Sequence, residues 1–159
     1  MVDDRCQPYQ GPPPCGRRKR GNQNLARTKG GLNTKLHLAV DAHGLPVKMI
    51  ITDGNTADCT QAEALIDGLF ADYLMADKAY DTNALLRLLD DRGIEPVIPP
   101  RRHRRDQRDF DRDLYKIRHL VENAFLKLKQ WRAVATRYAK TTASFLAECQ
   151  IAAIMLWIR

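Results

Sequence analysis

Thr34-Lys-Leu-His-Leu-Ala-Val40 alternates polar with apolar side chains, Asp41-Ala-His-Gly44 interrupts it, and Leu45-Pro-Val-Lys-Met-Ile-Ile-Thr52 resumes an apolar run. Alternation with a period of two is the mark of a strand with one face in the core. The break is a turn in which Gly44 supplies the positive φ. The stretch therefore predicts an antiparallel hairpin. Downstream, Thr60-Gln-Ala-Glu63 fits a capping box opening a helix through Leu69. Asp72-Tyr-Leu-Met-Ala-Asp77 reads as a short buried strand ending on a carboxylate. A helix over residues 82–92 carries Leu85, Leu86, Leu88 and Leu89, and Gly93 ends it. Residues 95–98 form another short strand, stopped by Pro99-Pro100. An arginine-rich loop over residues 101–112 leads to a long helix over 111–133 and a last one over 142–158. Strands first, then strand–helix alternation, then helices is a mixed α/β pattern.

Composition narrows the partners. The 159 residues include 26 Lys+Arg against 19 Asp+Glu, a net charge of +7, and 44% are hydrophobic. One domain with a real core is expected, and a basic chain favours a polyanionic partner such as nucleic acid. Cys6, Cys15, Cys59 and Cys149 form no Cys-x-x-Cys pair, which argues against zinc-finger spacing and for reduced thiols. Met1 is followed by Val-Asp-Asp-Arg rather than an apolar core, so no signal peptide is read. The apolar run over residues 145–158 contains Glu148 and Gln150 and falls short of the ~20 residues of a membrane span. It reads as a buried helix, and no membrane association is expected.

The front of the chain differs from the rest. Pro8, Gly11, Pro12, Pro13, Pro14 and Gly16 disfavour regular structure. Arg17, Arg18, Lys19, Arg20, Arg27 and Lys29 follow without an acid among residues 17–29. Residues 1–29 read as a mobile basic arm, and residues 30–159 as the folded domain.

Two constellations bear chemistry. Asp77 closes a strand at the edge where α/β sheets gather ligands, or it caps the following turn. On the long helix, Tyr115, Arg118, Glu122 and Lys129 share a stripe about 60° wide at 3.6 residues per turn. Leu114, Ile117, Leu120, Val121, Ala124, Phe125 and Leu128 pack on another side. The stripe is either a site or a solvated face with an Arg118–Glu122 pair at i,i+4. His119 lies off the stripe and reads as structural.

The motif Tyr-x2-Arg-x3-Glu-x6-Lys, met at Tyr115, Arg118, Glu122 and Lys129, resembles the C-terminal signature of bacterial insertion-sequence DDE transposases. Five other segments resemble the same family in the same order: Arg27-Thr-Lys-Gly-Gly-Leu-Asn-Thr-Lys-Leu-His37, Gly54-Asn-Thr-Ala-Asp58, Ala76-Asp-Lys-Ala-Tyr-Asp81, Pro96-Val-Ile-Pro-Pro-Arg101 and Arg118-His-Leu-Val-Glu122. The resemblance covers residues 17–159. It implies a ribonuclease-H-like mixed sheet with flanking helices, in which three carboxylates hold two Mg²⁺ ions for metal-dependent strand cleavage and transfer. Hard cations take carboxylate oxygen. Carried over, Asp77 and Glu122 are the second and third metal carboxylates and catalytic residues. Arg118 and Lys129 hold phosphate, Tyr115 positions a phosphate or base, and Arg101, Arg102, Arg104 and Arg105 join Arg17, Arg18, Lys19 and Arg20 in binding DNA.

The first carboxylate is expected at the end of a central first strand. Asp3 and Asp4 stand there, but no apolar strand precedes them, so that strand reads as missing or degraded. With one choice of codons, residues 3–16 read one nucleotide along give a segment ending Lys-Ala-His-Arg-His-Ala-Ala, which resembles the family's segment at this point. Residues 1–16 are then out of frame, and the chain is a truncated or frameshift-product transposase domain with little activity alone. The expected partners are the element's terminal inverted repeats, target DNA, and a second copy or an upstream-frame product, in the bacterial cytoplasm at the nucleoid. The alternative is a non-catalytic DNA-binding fragment that regulates or competes with intact transposase. A nuclease of the same fold is the third reading.

Overall fold

The computed structural model describes residues 3–5, 23–28, 31–105 and 107–158. The hairpin is present as β3 (Gly31–Val40) and β4 (Pro46–Asp53), antiparallel, with Leu36 opposite Ile51 and Leu38 opposite Met49. Its turn is closed by Asp41, whose Oδ1 accepts from the backbone N–H groups of His43 and Leu45. Gly44 has a φ of 78°, and a Cβ there would come within 3.2 Å of the Leu120 side chain. The turn thus needs glycine for its conformation and also for its packing.

β3 is buried on both faces, which the alternation did not anticipate. Leu36 and Leu38 point into a core with Val121, Phe125, Leu128 and Phe145. Ala39 enters a second core with Leu65, Ala76, Leu85, Leu89 and Ile98. The polar positions Lys35 and His37 are buried too, because a turn and a helix after β4 lie over them.

Two short strands join β3 from the front of the chain. β1 (Asp3–Arg5) pairs antiparallel along the edge opposite β4, with Asp3 facing His37 and Asp4 facing Leu36. β2 (Ala26–Thr28) pairs with Gly31–Asn33. The expectation of an arm without regular structure is corrected at these two segments, and a strand carrying Asp3 and Asp4 does stand beside β3. Backbone pairing with a well-buried central strand orders residues that pattern alone does not. Arg17, Arg18, Lys19 and Arg20 lie outside the described residues.

β5 (Tyr73–Met75) and β6 (Glu95–Val97) form a separate parallel pair joined through α2 (Asn83–Asp91). Thr82 caps α2 by accepting from the Leu85 N–H, and Gly93 follows it with a φ of 65°. The expected helix after Thr60 is shorter. A 3₁₀ turn over Asp58–Gln61 precedes α1 (Ala62–Ile66), and the Thr60 hydroxyl donates backwards to the Ala57 carbonyl at 2.6 Å instead of capping.

The long helix is also divided. α3 (Arg112–Lys116) and α4 (His119–Lys129) meet at Ile117 and Arg118, where bonds tighten to three-residue spacing. His119 Nδ1 lies 2.7 Å from the Lys116 carbonyl at this joint, in keeping with a structural role. α5 (Arg132–Ala135) is a separate turn, begun at Trp131 in extended conformation. α6 (Thr142–Ile158) has the expected bounds. It is not wholly buried, because β4, α4 and α5 cover one of its sides.

Candidate functional site

Asp77 follows the buried Ala76 at the end of β5. Its Oδ1 accepts from the Lys78 N–H at 2.7 Å and caps a 3₁₀ turn over Lys78–Tyr80. The capping role is therefore real, and it engages one carboxylate oxygen. That turn is braced from below by Asp81, whose carboxylate has no exposed surface. Asp81 accepts from Arg104 Nε at 3.0 Å, Arg108 Nη2 at 3.1 Å and the Arg101 backbone N–H at 2.8 Å.

The arginine-rich loop is consequently folded back rather than loose. Arg101 donates to the Lys78 and Ala79 carbonyls at 3.2 and 2.6 Å, Arg104 also donates to Asn83, and Arg108 donates to the Ile98 carbonyl at 3.2 Å. Arg102 and Arg105 are exposed. Asp81 and Arg108 were not singled out by pattern, although Asp81 closes the Ala76–Asp81 motif. A carboxylate four residues before Leu85 carries no local mark of its distant arginine partners.

On α3 and α4 the structure brings three of the four signature residues together. Arg118 Nη2 lies 2.7 Å from Glu122 Oε1, and its guanidinium sits 5.6 Å from the centre of the Tyr115 ring. The Phe110 ring meets Tyr115 edge-on at 5.5 Å. Tyr115 is thus packed, Arg118 is held over it, and Glu122 is oriented by Arg118. Lys129 stands two helical turns further, about 10 Å along α4 at 1.5 Å per residue.

Behind the hairpin lies a buried polar cluster. Lys35 Nζ is 2.7 Å from Asp58 Oδ1 and donates to the Thr56 carbonyl at 2.8 Å. His37 is wholly buried, with Nε2 2.7 Å from the Thr52 hydroxyl and Nδ1 3.8 Å from Asp58 Oδ1. Burial pushes the His37 imidazole down to about 4, against the attraction of Asp58 and together with the repulsion of Lys35. The segments 27–37 and 54–58 contain Lys35, His37, Thr56 and Asp58, so the signal was there as motif rather than as chemistry.

Among the described residues no group of three or more His, Cys, Asp or Glu side chains gathers as a metal site. The oxygen donors of Asp77 and Glu122 suit a hard divalent cation. No described helix is long and apolar enough to cross a membrane.

The family model described as the transposase DDE domain matches residues 2–158. A Brucella ovis protein designated a transposase for insertion sequence element IS6501 is 37% identical over 130 residues, covering 80% of this chain and all of that relative. A Burkholderia cepacia protein designated a transposase for element IS402 is 35% identical over 137 residues. That match covers 79% of this chain and 62% of the relative. No solved structure matches significantly. The motifs along the chain, the mixed α/β fold and these relatives agree, and the chain belongs to the DDE-domain transposases of bacterial insertion sequences.

Proposed function

We propose that this transposase domain grips DNA phosphates beside Asp77 and Glu122 and uses those carboxylates to hold divalent metal, Mg²⁺ by the chemistry of the donors. The observation that carries the reading is the Tyr115–Arg118–Glu122 assembly, in which one guanidinium orients the carboxylate and is itself held by a ring. Asp77 and Glu122 would hold the metal, which would supply charge stabilisation to an in-line displacement at phosphorus. The chain's own residues do the rest. Arg118 can exchange Glu122 for a phosphate oxygen, freeing the carboxylate as DNA arrives. Asp77 keeps its position through the Lys78 cap. The element's end repeats and target DNA are the substrates, met in the cytoplasm at the nucleoid.

A third carboxylate is needed, and β1 is the element that offers one at Asp3 or Asp4. Its ladder spans Asp3–Arg5 alone, so the strand is held by few backbone bonds, and weak cleavage by this chain is the expectation. An added or upstream-frame segment that extends the strand should raise it. The experiment is a nicking assay on DNA bearing the element ends, in Mg²⁺ or Mn²⁺, with Asp77→Asn, Glu122→Gln and the double variant Asp3→Asn/Asp4→Asn beside the parent. Each substitution should abolish the residual nicking while leaving DNA binding. Nicking that survives Glu122→Gln would overturn the assignment.

The exposed Arg102 and Arg105 serve a second reading equally, a DNA-binding domain that competes with intact transposase. Its signature is DNA binding with no nicking in either metal, with or without the extended first strand.

A further inference from the structure

Residues 123–147 carry Lys127, Lys129, Arg132, Arg137 and Lys140 and no Asp or Glu. Two aromatic rings stand among these cations. Trp131 and Tyr138 are 38 and 41% exposed, and neither belongs to one of the two hydrophobic cores. The backbone holds both rings firmly. Trp131 links α4 to α5: its N–H donates to the Leu128 carbonyl at 3.1 Å, and its carbonyl accepts from Val134 and Ala135, both at 2.9 Å. Tyr138 follows the buried Arg137, which donates to the Thr34 hydroxyl at 2.6 Å and, through Nε, to the Ala139 carbonyl at 3.1 Å. Arg132 joins the two ends of this segment. Its Nε donates to the Tyr138 hydroxyl at 3.1 Å, and its guanidinium stands 5.7 Å from the centre of that ring. Lys127 and Lys140 are exposed and form no ion pair among the described residues.

We propose that this surface binds unpaired DNA, with bases stacked on Trp131 and on the Tyr138–Arg132 pair and phosphates held by Lys127 and Lys140. Every base has a π-face, so aromatic platforms flanked by cations hold single strands whatever their sequence. A guanidinium plane offers the same kind of surface to a base. Rings fixed in advance lose little freedom on binding. A duplex fits less well, because its bases already stack on one another and have no face to give these rings. The surface also lies within reach of Glu122. From Glu122 to Lys129 α4 runs about 10 Å at 1.5 Å per residue, which an unpaired strand spans in about three nucleotides at 3.4 Å each. The inference goes beyond the metal chemistry above and stands without it.

The test uses the full chain in metal-free buffer and an oligothymidylate of about 12 nucleotides. Trp131 and Trp157 are the two tryptophans of the chain, so Trp157→Phe leaves Trp131 as the reporter. The oligothymidylate should quench its emission. A duplex of the same length, bound through arginines elsewhere on the molecule, should leave that emission unchanged. Trp131→Leu and Tyr138→Leu keep apolar volume and remove the π-face. Each should weaken binding of the labelled oligothymidylate, read by anisotropy, by about tenfold with the melting midpoint unchanged, and Trp131→Phe should recover most of it. Lys127→Ala with Lys140→Ala should lower the salt slope by about 1.4, at about 0.7 per charge on a single strand. Phe70→Ala, at a fully exposed ring elsewhere, should change nothing. Trp131 emission indifferent to the oligothymidylate, quenching as deep with the duplex, affinity untouched by both leucine variants, or a preference for the matched oligouridylate would each overturn the proposal.

Discussion

His37 shows how one residue ties stability to pH. Its imidazole is neutral in the fold because burial lowers its pKa from 6.5 to about 4. The unfolded chain binds a proton between those values and the folded chain does not. Stability from this group is thus complete above pH 6.5 and falls as pH drops toward 4. From pH 7 to pH 5 the loss is about 2 kcal/mol, taking 1.36 kcal/mol per pKa unit. Urea unfolding at both pH values should show that loss in the parent. His37→Gln should lack that share while losing some stability at pH 7. A parent and variant with parallel pH profiles would contradict it. The buried state of His37 was not legible from Thr34–Val40. Alternation identified the strand and its two faces, but whether the polar face meets water depends on Asp58, 21 residues away, and on α1 behind it.

Elements fared differently according to how local their causes are. The hairpin turn, the start of a helix at Thr82 and its end at Gly93 each rest on neighbours in sequence, and each reads off correctly. The helix at 111–133 carries no Pro or Gly to mark its joints at Ile117 and Trp131, so periodicity ran straight through them. Asp81 is the clearest long-range determinant, since one buried carboxylate fixes the loop bearing Arg101, Arg104 and Arg108. Breaking a buried ion pair from one side leaves its partners uncompensated and costs about 3–5 kcal/mol. The arginines here are partly exposed and can rehydrate, so about 2–3 kcal/mol is expected for Asp81→Ala. Trypsin should then cut within residues 101–108 well before the rest of the fold. If the loop stays as resistant as in the parent, Asp81 is not what holds it. Arg137 acts similarly at the other end of the sheet, joining Thr34 at 2.6 Å, the Gln23 carbonyl at 3.1 Å and the Phe145 ring at 5.3 Å. A lysine cannot reproduce that fork, and Arg137→Lys should lower the melting midpoint by several degrees, about 4 °C per kcal/mol lost.

At the scale of the molecule, net charge of +7 does not say which cations reach DNA. The structure divides the arginine-rich loop by role. Arg104 and Arg108 neutralise Asp81, and Arg101 binds carbonyl groups, whereas Arg102 and Arg105 are exposed at the surface. Phosphate contacts release counterions, so log K falls linearly with log salt, by about 0.9 per phosphate neutralised on duplex DNA. Arg102→Ala with Arg105→Ala should therefore reduce that slope by about 2 and leave the melting midpoint unchanged. Arg104→Ala should do the reverse, lowering the melting midpoint with little change in slope. The basic cluster Arg17, Arg18, Lys19 and Arg20 should add to the slope in proportion to the charges removed, whatever the DNA sequence, because backbone contacts position a protein and carry no base information. Titrating labelled duplexes of matched length, with and without the element ends, across a salt series separates these contributions. A slope that is the same for the parent and the Arg102/Arg105 double variant would place the phosphate track elsewhere on the molecule. The line of Arg118 and Lys129 along α4 would then be the surface to test next.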